Sequence, residues 1–324
     1  MEIKRIQLYS QATPIIRSNL HTANYNFASQ SYSHSSYFLP TDTFQSSSQP
    51  SFTGRLNLFQ NMMQRYLRTK SLQNSVTHSK RPYLSIEEDL KDITTPVQIK
   101  VSKTEVINAL DINKNNSKRY ILFLHGFSQN ITSNQPLYRA LKDSNFGILA
   151  IDYRSYGRNR KSNKSSEKYL LQDLKASIKY LNSKGITQIG LLGHSFGGYL
   201  ATKLSKSVPV DFQILVSPML SLEFWLKNVI KHPTKYKKEN KMINYIPGFK
   251  NQYKKIFDIN KQITNNNTPT YVIQAFKDKY IRTSKVNEFV KNLSNLKCYR
   301  IITNGGHRMD DAKISAISDI LKNL

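Results

Sequence analysis

From Pro82 onward the chain alternates short apolar runs, bounded by turn residues, with longer segments of helical period, and few folds accept that alternation. The runs are "PVQIKV", "EVINALDI", "YILFLHGF", "FGILAIDYRS", "IGLLGHS", "FQILVSPML", "TYVIQAFKD" and "CYRIITNGGH". Helical text separates most of the later ones: "SEKYLLQDLKASIKYLNSK", "GGYLATKLSKS", "KVNEFVKNLSNL" and, at the end, "DAKISAISDILKNL". The first two runs read as an antiparallel pair and the rest as strands of a mostly parallel sheet covered by helices. From about Leu220 to Thr268 the rhythm breaks. That interval is too long for a simple connection, is dense in lysine and holds the one tryptophan, Trp225. It predicts a cap over residues 219–268, inserted between the sixth and seventh runs.

Residues 1–82 have another character. Ser, Gln, Asn and Thr dominate, and no sustained apolar period runs through them, so the entropy of ordering the backbone has little burial to offset it. The segment predicts a largely disordered region. One stretch differs: in "LNLFQNMMQRYLRTK", Leu58, Phe59, Met62, Met63, Tyr66 and Leu67 recur at helical spacing beside Arg65, Arg68 and Lys70. It reads as a short amphipathic helix, either packed on the body of the protein or lying on a membrane or partner surface. With Glu2 and Asp42 as its acidic side chains, the region also has the composition of a targeting segment.

A net charge of +27 over 324 residues raises the question of a polyanionic partner. The lysines are dispersed, the pattern of a solvated surface, and there is no helix-turn-helix, zinc or aromatic RNA-binding motif, so no specific nucleic acid is expected. A peripheral anionic membrane surface stays open as a partner. The single cysteine, Cys298, excludes an internal disulfide framework and a zinc-thiolate cluster. No apolar run is long enough to span a bilayer, which predicts a soluble, cytoplasmic protein unless the first segment directs it elsewhere.

The chemistry concentrates at Gly193-His194-Ser195-Phe196-Gly197, a Gly-x-Ser-x-Gly pentapeptide between an apolar run and a helical one. Such a serine sits on a strained strand-to-helix turn, where a side chain two residues to either side would strike neighbouring backbone. A serine hydroxyl needs a base to take its proton, and the base needs a carboxylate to orient it. His307, in the loop after the last run, fits the first role. Asp278, at the end of the preceding run, fits the second, with Asp152, Asp211 and Asp258 as alternatives. Of the other histidines, His194 would point away from the serine, and His125 precedes Gly126 in a loop of its own. Two backbone N–H groups, of Phe127 and Phe196, are placed to bind a developing oxyanion, with the small Gly126 letting its loop approach the serine.

Taken together, "LHGF", "DYRSYGRN", "GHSFGG", "FKDKYI" and "GGH" resemble the α/β-hydrolase superfamily, and within it the monoglyceride lipase, lysophospholipase and serine aminopeptidase-like group. The resemblance covers roughly residues 95–324. It implies an eight-stranded, mostly parallel sheet, a triad of Ser195, Asp278 and His307, an oxyanion hole at Phe127 and Phe196, and a lid between the sixth and seventh strands. Two departures stand out. The loop after His125-Gly126 is "FSQNITSNQPLY", and Asp152–Asn159 lacks the first glycine and the final serine of the family's Asp-x-Arg-Gly-x-Gly-x-Ser.

The expected activity is hydrolysis of carboxylic esters of lipid-like type, monoacylglycerol or lysophospholipid, through an acyl-enzyme on Ser195. The cap, Trp225 included, would contribute an acyl groove. The triad and water suffice for this chemistry, so no metal or cofactor is implied. An aminopeptidase or thioesterase with the same triad, and a non-catalytic lipid- or polyanion-binding protein on the same fold, are the competing expectations.

Overall fold

The computed structural model describes residues 6–9, 81–113, 115–127, 129–159, 166–222, 234, 257–263 and 265–324. All of them belong to one compact unit, formed by residues 1–10 and 64–324; a second unit, 11–63, lies outside the described residues. So do the candidate helix around residues 58–67, Trp225 and most of the expected cap.

The described strands are β1 (Ile6–Tyr9), β2 (Thr94–Lys100), β3 (Val106–Ile112), β4 (Arg119–Leu124), β5 (Gly147–Ile151), β6 (Gln188–His194), β7 (Phe212–Val216), β8 (Thr270–Ala275) and β9 (Leu296–Ile302). They form one sheet of order β1-β9-β8-β7-β6-β4-β5-β3-β2. β3 runs antiparallel to β2 and β5, and every other neighbouring pair is parallel. The described helices are α1 (Glu88–Lys91), α2 (Gln135–Leu141), α3 (Glu167–Ser183), α4 (Phe196–Ser205), α5 (Asn260–Ile263), α6 (Thr283–Lys291) and α7 (Asp311–Lys322).

Parallel strands joined by helical crossovers are covered on both faces, and these strands read accordingly as unbroken apolar runs. β5 and β7 are buried at every position. Along β4, Tyr120, Leu122 and Leu124 enter the core shared with α3, α4 and α6, whereas Ile121 and Phe123 enter the one shared with α2 and α7. Because β4 lies between β5 and β6, the chain leaves β4 to one side and returns on the other. Crevices open at such a reversal, beyond the carboxyl ends of the strands.

The sheet holds one strand more than the eight apolar runs. Ile6–Tyr9 pairs in parallel with β9, with Ile6 opposite Tyr299 and Tyr9 opposite Ile302. The strand lies inside the stretch whose composition reads as disordered. A run of four residues carries no measurable period, and its partner lies at the other end of the sequence. α2 is also absent from the sequence reading. It is short, begins at a proline-containing turn and follows a 3-10 turn over Ile131–Asn134, yet Leu137, Tyr138 and Leu141 are buried.

The structure gives the two departures in Asp152–Asn159 different consequences. Ser155, where the family's glycine would stand, adopts a left-handed φ of 71°, a region costly for residues other than glycine. Asn159 takes over the bridging role open to a polar residue at its position: its Nδ2 donates to Asp152 O at 2.7 Å and its Oδ1 accepts from Asn108 N at 3.1 Å. Arg154 fastens this loop to α3. Its Nε donates to both carboxylate oxygens of Asp173 at 3.0 Å, its Nη2 donates to Oδ1, and its backbone N–H donates to Oδ2 at 3.1 Å. Burial pushes the Asp173 pKa up against these bonds from Arg154. Removing one partner of a buried pair strands the other charge, at about 3–5 kcal/mol. Asp173→Ala should therefore lower the urea-unfolding free energy by about that amount, while Asp173→Leu with Arg154→Met should recover much of the loss.

Candidate active site

Ser195 is the hinge between β6 and α4, with φ 54° and ψ −112°. Its N–H donates to Val216 O at 2.9 Å, and its carbonyl accepts from Gly198 N at 2.9 Å and Met219 N at 2.8 Å, so the strained turn is held from the β7 side. The two flanking glycines have no space for a side chain. A Cβ at Gly197 would stand 1.9 Å from Leu124 O, at the end of β4, and one at Gly193 would stand 2.4 Å from Gly197 O.

The loops beyond β8 and β9 bring the other two groups to the serine. His307 Nε2 lies 2.9 Å from Ser195 Oγ, and His307 Nδ1 lies 2.8 Å from Asp278 Oδ2. A carboxylate only accepts, so the imidazole proton belongs on Nδ1, which leaves a lone pair on Nε2 facing the serine hydroxyl. The other oxygen of Asp278 accepts from Tyr280 N at 2.8 Å and Ile281 N at 2.9 Å. Burial alone would raise the Asp278 pKa; the bond to His307, its charge and these two N–H donors outweigh burial and hold the carboxyl below its ordinary range. Ser195 and Asp278 are buried, and the His307 side chain remains partly open to solvent.

The rival carboxylates are engaged elsewhere. Asp152 accepts from Ile131 N and Arg158 N, Asp211 from Ile189 N, and Asp258 from Asn260.

The loop after β4 faces the start of α4. The rings of Phe127 and Phe196 meet edge to face with centroids 6.1 Å apart, and neither backbone N–H bonds to another described residue. A Cβ on Gly126 would lie 2.9 Å from Gln129 Oε1 and 3.1 Å from His194 Nδ1, so a side chain there would press on the ends of both. Fully buried His125 lies 2.9 Å by its Nδ1 from Gly126 O. The carbonyl can only accept, so that nitrogen donates. The N–H of Phe127 belongs to the same peptide unit as this carbonyl and points the opposite way.

His194 turns from the serine, as its place in the pentapeptide suggests, but it does not point to solvent. Its Nε2 lies 2.8 Å from the backbone carbonyl of His307. Sequence reasoning had no signal for this contact, which joins residues at the ends of two non-adjacent strands.

Residues 115–244 match the family model described as serine aminopeptidase, S33. The chain is 27% identical to a carboxylesterase of Bacillus subtilis over 184 residues, which is 52% of this chain and 75% of that one. It is 30% identical to the human protein ABHD12B over 137 residues, 40% of this chain but only 35% of the relative's length. Among solved structures, the Pyrococcus furiosus esterase Pf2001 superimposes with a TM-score of 0.63 at 19% identity, over 76% of this chain and 97% of that one. The protein has the α/β-hydrolase fold.

Gly197→Ala forces backbone atoms apart and should cost upwards of about 3 kcal/mol, read as loss of soluble protein or of a cooperative melt. Burial keeps His125 at a pKa of about 4; burial, the His307 and Lys313 charges together keep His194 at about 3, against the bond to the His307 carbonyl, which works the other way. Native-state values below the unfolded one mean that only the unfolded chain takes up these protons as pH falls through about 6.5. Stability should thus be complete above that pH and drop by about 2 kcal/mol per histidine between pH 7 and 5. Urea titrations across that window would reveal a flat profile if the two rings were not held neutral.

Proposed function

We propose that the protein is a serine hydrolase that cleaves carboxylic esters through an acyl-enzyme on Ser195. One observation carries the reading: a serine, an imidazole and a carboxylate joined by contacts of 2.9 and 2.8 Å at the carboxyl ends of β6, β8 and β9. In the proposed cycle Ser195 Oγ attacks the ester carbonyl while His307 Nε2 takes its proton. The tetrahedral oxyanion forms against the N–H groups of Phe127 and Phe196. His307 then returns the proton to the leaving alcohol, and water repeats the sequence to release the acid. Asp278 keeps the imidazole in the required tautomer and stabilises its cation.

For the substrate we propose a lipid-like ester, monoacylglycerol or lysophospholipid. The exposed rings of Phe276 and Tyr280 flank Asp278, and the Tyr280 ring lies 5.1 Å from that of His307, which supports an apolar group bound at the mouth. Residues 83–324 would form the hydrolase domain and 219–268 its cap, with Trp225 among the groove residues. No described helix is long and apolar enough to cross a membrane. With a net charge of +27, the protein would meet such a substrate at the surface of an anionic bilayer. The match to the serine aminopeptidase model favours one second reading, amide hydrolysis at an amino terminus with the same triad.

A fluorescent fluorophosphonate should label Ser195, identified by mass spectrometry, and Ser195→Ala should abolish labelling. Turnover of p-nitrophenyl esters should fall at least ~10³-fold in Ser195→Ala and roughly 10²–10⁴-fold in Asp278→Asn. Rising kcat/KM from acetyl to longer acyl esters supports the lipid-like substrate; faster turnover of aminoacyl-nitroanilides would transfer the assignment to the peptidase reading. A folded protein that neither labels nor turns over would sink the hydrolase.

A further inference from the structure

His307 is presented by a loop with little rigidity of its own. Thr303–Gly306 and Arg308 are exposed, and two glycines precede the histidine, Gly305 with φ +115° and Gly306 with open space where a Cβ would be. Ser195 sits on a turn fixed by backbone hydrogen bonds with Val216, Gly198, Tyr199 and Met219, and Asp278 accepts from two backbone N–H groups. The imidazole between them needs comparable anchoring to keep both of its contacts.

Two buried donors grip this loop on successive carbonyls. His194 Nε2 donates to His307 O at 2.8 Å, and Lys313 Nζ donates to Arg308 O at 2.8 Å. Lys313 is fully buried and pairs with Asp310 Oδ2 at 2.6 Å, while Asp310 Oδ1 accepts from Lys313 N at 3.1 Å and caps α7. Burying an ammonium costs several kcal/mol unless its donors are satisfied, and here they are spent on the loop that carries His307. The His194 ring faces only an acceptor at Nε2, so its single proton resides there. Gln129 Oε1, at 3.4 Å from Nδ1, is another acceptor and too distant to compete.

We propose that His194 and Lys313 are positioning residues that clamp the consecutive carbonyls of His307 and Arg308, holding the imidazole in register between Ser195 and Asp278. The inference rests on the hydrolase reading above, since it assigns these residues no role apart from the triad. It ties the nucleophile's own strand to the base: His194 is the residue before the serine, so the elbow and the His307 loop move as one body.

The test uses the full chain with His194→Phe, which keeps a ring and loses the donor, His194→Gln, which keeps an amide donor near Nε2, and Lys313→Met. Misplacing a reacting group by about 1 Å can cost ~10²-fold in rate. His194→Phe should lower kcat for p-nitrophenyl esters and the rate of fluorophosphonate labelling together, by roughly 10–100-fold, with KM within about threefold. His194→Gln should recover most of both. Lys313→Met should act in the same direction, and the double variant should lose less than the product of the two single effects, because both grip one loop. In NMR, the low-field proton on His307 Nδ1 should broaden in His194→Phe and sharpen again in His194→Gln. Wild-type-like labelling and kcat in folded His194→Phe, or a Gln variant no better than Phe, would overturn the clamp. Should Lys313→Met not fold, the Phe and Gln pair decides. Absence of labelling in the wild-type protein would instead mark failure of the hydrolase reading itself.

Discussion

The arrangement of this molecule depends on one close approach. The backbone of α4 at Gly197 lies so near the end of β4 that a single methyl group there would fall 1.9 Å from Leu124 O. That contact requires β4 and β6 to be neighbours in register, Leu124 beside Gly193, and it requires glycine on both sides of the serine. It also places the start of α4, where the Phe196 N–H meets no other described residue, against the loop that leaves β4. The left-handed Ser195 is affordable because bonds to Val216, Gly198 and Met219 over-determine it.

Around this fixed point the loops at the carboxyl ends of the strands are braced by buried polar groups. Asp152 collects the N–H groups of Ile131 and Arg158, and Asn159 links β3 to the loop after β5. Arg154 and Asp173 bind the same loop to α3. Asp278 orders the turn after β8 through Tyr280 and Ile281. His194 and Lys313 hold the loop after β9. Buried polar groups of this kind lose much when one partner is missing, which makes the ends of the loops as specific as the apolar sheet beneath them.

Much of this was legible before any coordinate. Apolar runs at strand length and helical periods between them announce a covered parallel sheet, since a strand buried on both faces has no polar side to show. The pentapeptide around Ser195 announces the sharp turn for steric reasons that are local. Of the four carboxylates considered, Asp278 is the one brought to His307, a choice that turns on a separation of 2.8 Å across two loops. The short α2 and the edge strand Ile6–Tyr9 escape detection because few residues give no period, and because β1 exists only against an edge supplied by β9.

The sequence alone determined the class of fold, the place of Ser195 on its sharp turn and the pool of groups able to reach it, because hydrophobic period and glycine sterics act between residues close along the chain. The tertiary structure decided which carboxylate meets the imidazole, where the His307 loop is anchored, and that His194 and buried Lys313 face its carbonyls. Those outcomes are contacts between residues far apart in sequence, such as His194 and His307, and no local pattern encodes a hydrogen bond whose two ends arrive on different strands of the sheet.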